Sequence, residues 1–157
     1  MEQVTEIPLK KVTAAQIIRT HNTALKVKID ENIYIGTEYF FLREDLVTIG
    51  YANKLKKLIN RRELKENTFK DLADIDTYKY SENNKYHFFD SKHKIIVLET
   101  EIGDIGVNYN YYSYFKKRNL NFKFNNNRTG FNPIGMFKGN DFVGVIMPTR
   151  IKVGEKN

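Results

Sequence analysis

Twice along this chain the spacing of apolar residues changes from strand-like to helix-like, then returns to three short strand-like runs. Few folds accommodate that order, because a strand turns every second residue toward a core and a helix every third or fourth. In the first unit, "EYFF" leads into Leu42, Leu46, Ile49, Ala52, Leu55 and Ile59, an apolar stripe that predicts a helix over Leu42–Arg62. Glu44 and Asp45 fall in its first turn, where acids suit the positive end of a helix dipole. The runs "TYKYS", "KYHFF" and "KIIVLE" follow as strands. In the second unit, "IGV" leads into "NYNYYSYFKKR", which predicts a helix over Tyr109–Arg118 with Asn108 as its N-cap. Tyr111 and Phe115 stand four apart, as core residues do; Tyr109, Tyr112 and Tyr114 are open between core and base-stacking roles. "LNFKF", "FNPIGMF" and "FVGVIMPTRI" close the unit, divided by "NNNRTG" and the turn sequence "KGND".

Both units therefore read βαβββ, over residues 33–100 and 104–151. The repeat is too long for a solenoid and suggests one internally duplicated α+β domain over residues 31–151. Its two helices should pack side by side on one face of a curved antiparallel sheet. Residues 1–30 read as an N-terminal extension and 152–157 as a tail. Within the extension, Val12 to His21 suggests a short helix capped by Thr13, and "ALKVKID" begins a hairpin that bends at Asp30–Asn32.

Charge narrows the partners. The net charge is +7, and the stretch from Asn108 to Lys152 holds eight cationic residues against Asp141 alone, a surplus equal to that of the whole chain. From Arg43 to Lys70 the count is eight against four. Lys54, Lys57 and Arg61 fall on one face of the first predicted helix, and Lys116, Lys117 and Arg118 close the second. A polyanion such as DNA is the partner this pattern suits; a generally soluble surface is the alternative.

Catalytic chemistry is not expected. There is no cysteine, so disulfides, thiolate metal sites and a cysteine nucleophile are excluded. His21, His87 and His93 lack metal-ligand spacing, and Asp71, Asp74 and Asp76 fit a polar connection better than a magnesium site. "IGDIG" has neither the lysine nor the spacing of a phosphate loop. No metal or other cofactor is called for. Without a signal-peptide core or an apolar run long enough for a bilayer, the chain is expected in the cytoplasm, away from membranes.

The closing segment carries a resemblance. "GVNYNYY", then "NLNFKF", then "NNNRTGFNPIGMF", then "VGVIMPTRI" is similar to the end of the DNA sliding clamp family, specifically the C-terminal domain of the bacterial polymerase β subunit. Asn108 and Tyr111 match a Phe-Asn-Pro-x-Tyr-Leu type pattern, with Tyr109 in place of the proline. Met147, Pro148 and Arg150 match a terminal Met-Pro-x-Arg. The resemblance implies a processivity fold and a non-enzymatic role in DNA replication or recombination. It implies phosphate-backbone contacts from Lys54, Lys57, Arg61, Lys116, Lys117 and Arg118, and a pocket for replication or repair protein peptides at Val145, Met147, Pro148 and Arg150. A core strand ended by its proline is the other account of "MPTR". Bacterial clamps join three such domains, whereas this chain has room for one, so a closed ring would be a homo-oligomer of about six copies. The lysine-, asparagine- and isoleucine-rich usage fits a phage or mobile element. The alternative function is an inhibitor or decoy acting on host replication or defence machinery.

Overall fold

The computed structural model describes residues 9–64, 75–81, 86–90, 94–125 and 133–149, with only the backbone course for residues 75 and 86–90. Over these residues the fold is α+β, with a mostly antiparallel, curved eight-stranded sheet, a three-stranded sheet and three α-helices. The described elements begin with helix α1 (Ala14–Ile18) and strands β1 (Thr23–Ile29), β2 (Asn32–Gly36) and β3 (Phe40–Arg43). Helix α2 (Ile49–Lys56) and strand β4 (Asn60–Leu64) follow. Next come β5 (Tyr80–Ser81), β6 (Tyr86–Asp90), β7 (Ile95–Thr100) and β8 (Gly103–Asn108). Helix α3 (Tyr109–Lys116) then leads to β9 (Asn121–Phe124), β10 (Ile134–Lys138) and β11 (Asp141–Ile146).

The large sheet runs β4-β1-β2-β3-β11-β10-β9-β5, and the small one β6-β7-β8. Only the β1–β4 pair is parallel among the described pairs. Two-residue turns set the register of two hairpins. Asp30-Glu31 joins β1 to β2, and Gly139-Asn140 joins β10 to β11, with Gly139 at φ 63° in the left-handed region that such a turn requires.

Alternation along the strands divides the apolar residues between two faces. Phe40, Leu42, Phe122, Phe124, Ile134, Met136, Val143 and Ile146 face the helices. Ile96, Leu98 and Val107 of the small sheet join the same core, so one layer of helices covers both sheets. Phe41, Tyr34, Val145, Phe137 and Phe142 build a second core on the opposite face, closed by Tyr78. Glycine allows β3 to lie close to its neighbours. A methyl group at Gly144 of β11 would collide with the Phe41 carbonyl oxygen, and one at Gly36 of β2 with that of Phe40.

The first predicted helix is shorter than expected. Leu42 belongs to β3, where it lies opposite Ile35 on one side and Gly144 on the other. The helix starts only after Thr48, whose hydroxyl accepts the Tyr51 amide at 3.1 Å. It stops at Lys56, and Asn60–Leu64 forms a strand. Ile49 and Ile59 are 82% and 85% exposed, so two members of the apolar stripe serve no core.

The stretch read as an extension contributes to the domain. β1 lies inside the large sheet, and Ile17 and Ile18 of α1 are buried. Thr13 caps α1 through a reciprocal pair with Gln16. The helices were expected side by side, but α1 packs against both α2 and α3. Direct contact between α2 and α3 includes the stacked rings of Tyr51 and Tyr114, 6.3 Å apart.

Candidate nucleic-acid interface

The cations expected to face DNA divide into two groups. Lys54 of α2 is half-buried and its C-cap Lys57 exposed; Lys116 of α3 is half-buried and its C-cap Lys117 exposed. Lys116 extends its ammonium over the Phe122 ring at 5.5 Å, so its stem is covered while its charge reaches the rim. Lys56, Arg19 and Lys11 add exposed charge on or beside the helices.

The two arginines have another use. Arg61 lies on β4, not on the helix, and its guanidinium donates to the Lys56 carbonyl at the end of α2. Arg118 donates to the Tyr114 carbonyl at 3.0 Å and stacks on the Tyr114 ring at 3.6 Å. Each therefore satisfies a carbonyl that the helix end leaves open and places its charge at the negative end of the dipole. Sequence shows an arginine near a helix C-terminus but not whether it turns outward or back.

The tyrosine-rich helix is anchored in the core. Asn108 caps it by accepting the amides of Asn110 and Tyr111 at 2.9 and 3.2 Å. Tyr109, Tyr112, Tyr114 and Phe115 are buried, and Tyr111 is half-buried. Tyr112 packs edge-on against Phe122. These rings are therefore not arrayed as a base-stacking platform. Burial pushes the Tyr111 hydroxyl up to about 12, so it remains a proton donor at neutral pH.

The end of β11 explains the proline after Met147. The Met147 amide donates to the Tyr39 carbonyl at 2.8 Å. Two residues on, the Thr149 amide donates to the Gly106 carbonyl of β8, also at 2.8 Å, in an isolated antiparallel bridge. The chain thus passes from the large sheet to the small one at Pro148, where no N–H is available and neither ladder needs one. Val145 is buried in the second core; Met147 and Pro148 are half-buried, and Met147 packs against that core. Tyr39 beside them is 50% exposed. Arg150, Arg128, Asp71, Asp74, His93 and the tail 152–157 lie outside the described residues.

His21 joins the helix layer to β3, a contact that its scattered position in the sequence does not reveal. Its Nε2 lies 2.8 Å from the Tyr111 hydroxyl, and its ring packs against Tyr39 and Phe40. Burial lowers its pKa below the ordinary 6.5, opposed by a hydrogen bond to the Ile17 backbone and by Glu38. The imidazole is therefore neutral at neutral pH and shares a hydrogen bond with the Tyr111 hydroxyl.

Among the described residues, no three His, Cys, Asp or Glu side chains gather as a metal site would require. No described helix is long and apolar enough to cross a membrane. Comparison with protein-family models, curated proteins and solved structures finds no match.

Proposed function

We propose that this chain is a clamp-like domain of duplicated βαβββ plan, a non-enzymatic accessory of DNA replication or recombination that contacts the duplex through its phosphates. The observation carrying this reading is a reciprocal exchange of strands. The strand before α2, β3, pairs with the last strand of the second half, β11. The strand before α3, β8, pairs with the last strand of the first half, β7. An internally duplicated domain whose halves complete each other's sheets has this connectivity. β5 departs from the plan, because it pairs with β9 rather than β6. The helix layer common to both sheets carries Lys54, Lys57, Lys116 and Lys117, which supports backbone contact without base readout.

Titration of two duplexes of unrelated sequence, at low salt, tests this function. The two affinities should be equal within error; absence of binding to both would remove the DNA reading. The decoy reading is favoured by a different feature, the half-exposed Met147 and Pro148 beside Tyr39, which could hold a partner's peptide without DNA.

A further inference from the structure

A concave surface lies away from the Met147 edge. Between α2 and the parallel β1–β4 pair runs a groove of about 510 Å³, within the size range of ligand sites. Its origin is local. Ala24 of β1 and Ala52 of α2 both line it, and neither side chain is large enough to close the gap between helix and sheet. Ile35 and Leu55 complete an aliphatic wall. Four cationic residues, Lys26, Lys56, Arg61 and Arg62, border the same groove against Glu44 and Glu63. Arg61 donates to the Lys56 carbonyl beside the groove, and its guanidinium has further N–H donors.

The geometry points to a binding groove for a short acidic peptide with aliphatic anchors. The anchors fill the space beside Ala24 and Ala52, and a carboxylate meets Arg61 and Lys56. A nucleic acid fits less well. The lining includes no aromatic ring to stack a base. The site is separate from the proposed peptide edge, and it does not depend on the duplex reading.

The probe is a fluorescein-labelled peptide of alternating leucine and aspartate, titrated by anisotropy into the full chain. The counterpart with lysine for aspartate is the control. The aspartate peptide should bind and the lysine peptide should not. Ala52→Leu, which fills the groove, should weaken binding about tenfold or more, and Arg61→Gln about three- to tenfold. Ala52→Leu should keep its melting temperature and its duplex affinity, because the added volume enters open space. Three results would each overturn the assignment: no binding of the aspartate peptide, equal binding by Ala52→Leu, or equal binding of the lysine peptide. Displacement by a single-stranded oligonucleotide at comparable affinity would assign the groove to nucleic acid instead, and so also overturn it.

Discussion

His21 concentrates several tertiary contacts in one side chain, and those contacts make it sensitive to acid. Its pKa in the folded chain lies below the ordinary 6.5, mainly through burial. As pH falls below that ordinary value, the unfolded chain takes up a proton that the folded chain resists, so stability falls. The loss continues until pH reaches the folded pKa. Facing groups are the Tyr111 hydroxyl, which stays protonated, and Glu38, whose charge moderates the shift. Melting temperature should therefore decline as pH falls from neutrality through the ordinary imidazole range, and His21→Gln should reduce the part of that decline due to the imidazole. Identical pH profiles for the two proteins would remove His21 as the cause. Met147 presents a different case, a side chain shared between core and surface. Because it is only half-buried, Met147→Ala should cost about 1–2 kcal/mol of stability, below the ~2–5 kcal/mol of a fully buried truncation. If the edge also holds a peptide, binding of a clamp-directed peptide should weaken by about 1–2 kcal/mol. Thermal melts with and without that peptide separate the two effects.

The same cationic composition has different roles at the level of the elements. The guanidinium of Arg118 closes α3, whereas Lys54, Lys57 and Lys117 carry charge at the helix layer beside Lys116, whose ammonium lies over the Phe122 ring. Arg118→Ala should therefore lower stability by about 1 kcal/mol and leave duplex affinity nearly unchanged. Replacing Lys57 and Lys117 with alanine should do the reverse. Chemical denaturation and duplex titration on the two variants check this; equal loss of DNA affinity would mean that Arg118 also reaches phosphate. The elements that were legible in the sequence have local punctuation. Thr13 marks α1, Asn108 marks α3, and "KGND" marks the last hairpin. The start of α2 was obscured because Leu42, Leu46 and Ile49 stand four and three residues apart, while sheet pairing captures Leu42. The β1–β4 pair left no trace either. "NRREL" is polar, and a parallel pair formed across an intervening helix has no turn to announce it. The candidate site was legible as charge and as the Met-Pro-Thr segment, but not in its geometry. Which cations cap a helix, and where Pro148 crosses between sheets, depend on contacts between distant residues.

At the scale of the whole molecule, the clamp and decoy readings part at stoichiometry. A chain that encircles a duplex has to assemble, because one copy offers a single helix layer. Light scattering should therefore give a mass several times the 18.5 kDa of one chain if the clamp acts as a ring. A monomer that binds partner peptide and no DNA would favour the decoy. The central claim, contact with duplex phosphates by the helix-layer lysines, is tested most directly by the salt dependence of duplex binding. With four lysines each neutralising a phosphate, log affinity should fall against log salt with a slope of about −3.6. Alanine at Lys54, Lys57, Lys116 and Lys117 together should bring that slope close to zero. A slope near zero for the native chain, or an unchanged slope for the fourfold variant, would contradict it.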